Sequence, residues 1–188
     1  MKRSFSSLMP QEALHVAVFI EERNAELYHR FAEMFVEFRD LESLEIASVF
    51  WDMAVEERQH STMLQERYSE RYGNASCALT EEDLQELIEV PRLEDGDVFT
   101  AAKDGAIGTA RERALQVALM AERSARRYYA GLAEHTPDAE LEKLYQRLNP
   151  VQLRKQIDQA LEKLWALAEQ KRRPDKATER AKESEVCG

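Results

Sequence analysis

Glycine and proline are scarce in this chain, six and five among 188 residues, too few for an all-β fold with its many reversals. Cysteine is scarcer still. Cys77 falls in a connection and Cys187 beside the C-terminus, a spacing that supports neither a disulfide framework nor a zinc site. No segment reaches the roughly 18 consecutive apolar residues of a membrane-spanning helix. The opening MKRSFSSLMP has a basic start but no apolar stretch behind it, so a secretory leader is not expected and the cytoplasm is the expected compartment. Basic charge is short as well: 26 Lys and Arg stand against 36 Asp and Glu. The resulting net charge of -10 argues against nucleic acid or an anionic membrane surface as the main partner.

What the chain has in abundance is helical periodicity. Leu14, Val18, Glu21, Ala25, Tyr28, Ala32 and Phe35 alternate spacings of four and three, the seam of a helix packed nearly antiparallel to a neighbour. Ile46, Phe50, Met53, Glu57, His60 and Leu64 repeat the pattern in a second segment, and Leu115, Ala118, Glu122, Ala125, Tyr129 and Leu132 in a third. A fourth starts with Leu141, Tyr145 and Leu148, then turns polar at Gln152, Lys155 and Gln159. Short connections around Arg39–Leu41 and Thr136–Asp138 imply antiparallel pairs. Thr136 is the expected cap of the fourth helix, with Pro137 at its first position. Between the pairs runs a long connection, from Gly73 to about Gly108. It carries a candidate small helix with a capping box at Thr80–Asp83, an apolar face of Leu84, Leu87 and Ile88, and Pro91 behind it. An up-down pair, a long crossover and a second up-down pair describe an all-α, ferritin-like four-helix bundle. Residues 1–170 are expected to form that single domain, and the polar 171–188 a disordered tail.

The two halves look like copies of one another. Laying Glu21 on Glu122 brings Ala13, Leu14, Val16, Ala17, Tyr28, Ala32 and Glu33 onto Ala114, Leu115, Val117, Ala118, Tyr129, Ala133 and Glu134, identical residues in each case. Laying Glu57 on Gln152 sets Phe50 against Tyr145, Met53 against Leu148 and His60 against Lys155. A duplicated helical hairpin accounts for both alignments.

Glu21, Glu57 and Glu122 occupy seam positions that should be buried, where an isolated carboxylate costs several kcal/mol. They need a cation, protons or water. Glu57 and His60, three apart, project one turn from each other on one helical face and can hold one metal ion from a single rigid element. A Glu from each of two other helices completes the ligand set of carboxylate bundles, which suits iron or manganese. Tyr28 and Tyr129, each seven residues beyond its glutamate, either fill core or donate to a ligand carboxylate. His15 and His29 lie beside the seam and should face outward, and His135 ends the third helix. Phe31, Phe38, Trp51 and Trp165 read as core or subunit contact.

With these residues in place, the stretch from about Glu12 to Leu161 resembles the rubrerythrin group of ferritin-like proteins. EERNAELY, MAVEERQH and AERSARRYY match that family's Glu-x6-Tyr, Glu-x-x-His and second Glu-x6-Tyr, and the first half with its run-on SERYGNASCALTEEDLQELIEVPRL is most similar to erythrin domains. The resemblance implies two irons and, if the chain is an enzyme, an oxidoreductase reacting Fe(II) with peroxide or dioxygen in the ferroxidase or peroxidase manner. The family analogy also implies a homodimer. The fourth helix departs from the pattern: where the family has a second Glu-x-x-His, this chain has Gln152 and Lys155, whose ammonium can stand in the second metal's place and pair with Glu122.

Three arrangements are open at this point. One metal, iron or alternatively manganese, is held by Glu21, Glu57 and His60, with Glu122 a fourth ligand or the partner of Lys155. A metal-free bundle, its carboxylates neutralised by Lys155 and by an arginine such as Arg126, serves as an interaction or assembly module. Two chains pair their first hairpins and retain two irons. No Cys-x-x-Cys pair is present, so any electron transfer needs an external donor.

Overall fold

A computed structural model of the chain describes residues 8–73, 75, 77, 79–80, 83–84 and 97–148. Among them are five helices and no strand: α1 (Pro10–Glu37), α2 (Leu41–Tyr72), α3 (Asp97–Lys103), α4 (Ile107–His135) and α5 (Ala139–Leu148). Trp165, Gln152, Lys155, Leu87, Ile88, Pro91 and the 171–188 tail lie outside the described residues. No described helix is long and apolar enough to cross a membrane.

Local chemistry sets the ends of the helices. Pro10 opens α1, where its missing N–H is no loss, and the Glu12 carboxylate accepts from the Met9 N–H at 2.9 Å. The reversal into α2 is completed by Arg39 in the left-handed region (φ 57°). Asp40 then caps α2, one carboxylate oxygen accepting the Ser43 N–H at 3.0 Å and the other the Ser43 hydroxyl at 2.7 Å. Gly73, at φ 59°, ends α2 in a conformation that a side chain would strain. The capping box at Thr80–Asp83 is formed in both directions, at 2.9 and 3.2 Å, and Leu84 is buried beside it.

The start of α5 differs from the expectation. Its cap is Asp138, whose Oδ1 accepts the N–H groups of Glu140 and Leu141 at 2.9 and 3.1 Å. Thr136 makes only a 3.4 Å contact from the Asp138 N–H. A carboxylate that also pairs with Arg71 is the stronger acceptor and displaces the hydroxyl from that role. The short helix α3 was not foreseen either. Seven residues are too few to show a period, and packing holds it instead: Val98 is buried, and Phe99 meets Phe31 and lies under the Arg30 guanidinium.

The interior consists of two apolar clusters. One gathers Leu27–Phe35 of α1, Ile46–Ala54 of α2, Val98 of α3 and Ala114–Ala121 of α4. The other gathers Ala13–Ile20 of α1, Leu64 of α2, Leu79 and Leu84 of the crossover, Ala125–Leu132 of α4 and Leu141–Leu148 of α5. Helix α1 therefore runs from the second cluster to the first, whereas α2 and α4 both run from the first to the second. The crossover returns the chain along the length of the bundle, the ferritin-like order.

Two arginine clamps fasten the ends. Arg111 of α4 reaches Asp40 at 2.6 Å, the Ser43 hydroxyl at 2.7 Å and Glu42 at 3.0 Å. Arg71 of α2 pairs with Asp138 and with Glu140, the latter at 3.1 Å. Each clamp seizes the capping aspartate of another helix. Asp40 is lowered from 3.8 to about 2, first by the Ser43 hydroxyl and N–H and then by Arg111. Asp138 is lowered to about 2 chiefly by the Arg71 hydrogen bond. Because both folded-state values lie below the ordinary one, both clamps contribute fully above the ordinary value of 3.8 and are lost as pH falls through about 2. Asp40→Ala should remove about 1 kcal/mol of stability at neutral pH and flatten this acid limb. Urea titrations across the acid range read both effects, and unchanged midpoints would contradict the clamp.

Candidate metal centre

Between the two apolar clusters lies a layer of polar groups. Six polar or charged residues are buried among those described, and five of them, Glu21, Asn24, Glu57, Ser61 and Glu122, fall in this gap; Ser43 at the start of α2 is the sixth. Glu21, Glu57 and Glu122 are 0, 3 and 1% exposed, so the seam positions that placed three carboxylates inward are inward in the folded chain. The reason is geometric: each continues an apolar stripe on its own helix, and rotating it outward would expose that stripe.

Glu21, Glu57 and His60 converge, with one ligand atom of each within 4.8 Å of the others. The His60 Nδ1 stands 3.1 Å from a Glu21 oxygen and 3.4 Å from a Glu57 oxygen. One ring nitrogen is thus directed between two carboxylates. On the far side of the ring, Nε2 is 3.8 Å from Glu56, an ion-pair distance rather than a hydrogen bond. With the proton on Nε2, the Nδ1 lone pair is available to a metal, and Glu56 stands where an outer carboxylate orients a ligating imidazole. Glu56 is not a seam residue; its spacing of four from His60 was the available signal in the sequence.

Glu122 is buried but lies outside that convergent group of three. One of its oxygens accepts the Tyr28 hydroxyl at 3.0 Å. The Tyr129 hydroxyl in turn donates to Glu21. The pairing is crossed, each half's tyrosine serving the other half's glutamate, so the internal repeat is interlocked through its carboxylates. Tyr129 is flanked by Tyr128, edge-on at 5.7 Å, and by Tyr145, stacked at 6.3 Å. Burial pushes the Tyr128 and Tyr145 phenols up, so both stay protonated.

The remaining histidines stand apart from this layer. His29 pairs with Glu33 at 3.3 Å and meets Trp51 edge-on, His15 is half-buried against Tyr68, and the exposed His135 contacts the Gly131 carbonyl oxygen. Phe31 is core and Phe38 packs against it, while Trp51 is 40% exposed. Asn24 and Ser61 were not singled out from sequence. For Asn24 the signal was a break in the repeat, since it lies over Ala125.

A helical bundle whose apolar core is interrupted by one layer of carboxylates with a histidine is of the ferritin-like class, and the donor set, two carboxylates and one imidazole, fits iron or manganese. Residues 12–98 match the rubrerythrin family model, a likeness in keeping with the ferritin-like fold. That stretch contains Glu21, Glu57 and His60 and ends in α3. No curated protein and no solved structure gave a significant match.

The crossed hydroxyls predict a graded series. Tyr129→Phe and Tyr28→Phe each leave a buried carboxylate short of a donor and should lower unfolding stability by about 1–3 kcal/mol. Tyr145→Phe should cost nothing, because that hydroxyl has no partner among the described residues. Thermal or urea unfolding of the metal-free variants decides it, and equal losses for Tyr145→Phe and Tyr129→Phe would contradict the crossed pairing.

Proposed function

We propose that the chain binds one iron ion through Glu21, Glu57 and His60 and supports ferroxidase- or peroxidase-type chemistry there, with manganese as the alternative metal. The convergence of three ligand atoms within 4.8 Å in a buried layer carries this reading, and the rubrerythrin match supports it. Iron bound by so few protein ligands would keep open positions and supply one-electron exchange with dioxygen or peroxide. The chain's own residues do the rest. Glu21 and Glu57 offset the cation's charge in the dry interior, His60 contributes a neutral nitrogen, and the Tyr129 hydroxyl holds Glu21 in place. The two apolar clusters on either side exclude bulk water. Glu122, fixed by Tyr28, is available as a further ligand or as the partner of Lys155.

As part of the same reading, residues 1–170 act as one ferritin-like domain in the cytoplasm, fed by an external electron donor. A homodimer is supported by an exposed apolar stripe on α2, where Leu41, Leu44, Trp51 and Val55 recur at helical spacing and are 82, 42, 40 and 53% exposed.

A metal-free bundle is favoured by one observation: the His60 Nδ1 lies 3.1 Å from a Glu21 oxygen, so the ring itself can serve as that carboxylate's partner. Metal analysis separates the two. Protein loaded anaerobically with Fe(II) and desalted should carry about one iron per chain, falling to trace in Glu57→Gln and His60→Ala. Trace metal in the parent would overturn the iron reading and leave the metal-free one. Glu56→Gln should retain the site with about tenfold weaker affinity; undiminished affinity would remove Glu56 from the assembly.

A further inference from the structure

Asn24 and Ser61 are the uncharged polar residues of the central layer that the ligand set does not use, and whereas the Ser61 hydroxyl accepts from Gln65, the Asn24 amide is left over. It sits on α1 one turn beyond Glu21 and one turn before Tyr28, is 2% exposed, and belongs to neither apolar cluster. Its Nδ2 has no hydrogen-bond partner among the described residues. A buried amide donor without an acceptor is destabilising, so the position is poorly explained by folding alone. The repeat sharpens the point, because the equivalent position in the second half is Ala125, which fills the same site on α4 with no polar group. Polarity has been placed here only in the half that holds Glu57 and His60.

We infer that Asn24 is an anion-binding residue: its carboxamide N–H would donate to a small hydrogen-bond-accepting anion held in the same buried layer as Glu21, Glu57 and His60. The inference rests on the iron reading above. Glu21 and Glu57 are acceptors, and their charge would repel a second anion in that layer. Asn24 supplies a neutral donor that attracts the anion while leaving the metal's positive charge undiminished. A hydrogen bond to a charged acceptor in a dry site is among the stronger ones available to an amide, so the effect is measurable.

The test titrates azide into the iron-loaded, air-oxidised full chain and follows the charge-transfer absorption of the complex. Asn24→Ala, which copies the second half, and the closer-sized Asn24→Leu should keep the parent's iron content and bind azide about tenfold more weakly or worse. Both variants in the metal-free state should melt at the parent's temperature or above it, since a buried unpaired donor has been removed. Iron-loaded variants that bind azide as tightly as the parent would overturn the inference and leave the metal site intact. A lower melting temperature of both metal-free variants would overturn it too, by showing that Asn24 serves the fold. A parent that takes up no iron would bring down the iron reading, and this inference with it.

Discussion

Glu21, Glu57 and Glu122 are carried into the interior by the apolar stripes they interrupt, and a carboxylate buried alone costs several kcal/mol. The contacts made by these three carboxylates answer to that constraint. Tyr129 donates to Glu21, Tyr28 donates to Glu122, and His60 stands between Glu21 and Glu57. Each of these partners comes from a different helix than the carboxylate it serves, the Glu57–His60 pair excepted. Neutralising the layer therefore also fixes the register of α1, α2 and α4 against one another.

The duplication explains why the layer is crossed. In a repeated hairpin, α1 and α4 are equivalent helices facing each other, and the same heptad spacing places a glutamate on each opposite a tyrosine on the other. The symmetry is then broken in one half. The triad forms around Glu21 with Glu57 and His60, whereas Glu122 keeps its tyrosine and stands outside it. A second difference follows the same line: Asn24 enters the layer where Ala125 does not. The first half supplies Glu21, Glu57 and His60, and the second half supplies the Tyr129 hydroxyl that contacts Glu21, with Arg111 and Arg71 closing the two ends.

Much of this was legible in the chain. Spacings of three and four over many turns define α1, α2 and α4, and the same arithmetic places Glu21, Glu57 and Glu122 at buried positions. The family resemblance rested on those same positions. What sequence left open depends on contacts between helices. Tyr28 and Tyr129 could be read as partners of carboxylates, but which carboxylate each serves is set by the facing helix. Thr136 has the composition of a cap, yet Asp138 is chosen because Arg71 lies across from it. Helix α3 is too short for a periodic signal and is held by Phe99 and Val98. Glu56 lies beside the seam rather than on it, and its 3.8 Å approach to the His60 Nε2 depends on how that ring lies in the fold.

The most direct measurement is anomalous diffraction at the iron absorption edge from crystals grown anaerobically with Fe(II). A single peak per chain, bonded to the Nδ1 of His60 and to Glu21 and Glu57, is the predicted result. No peak at that position, or one bound elsewhere with the His60 Nδ1 still hydrogen-bonded to Glu21, would contradict it.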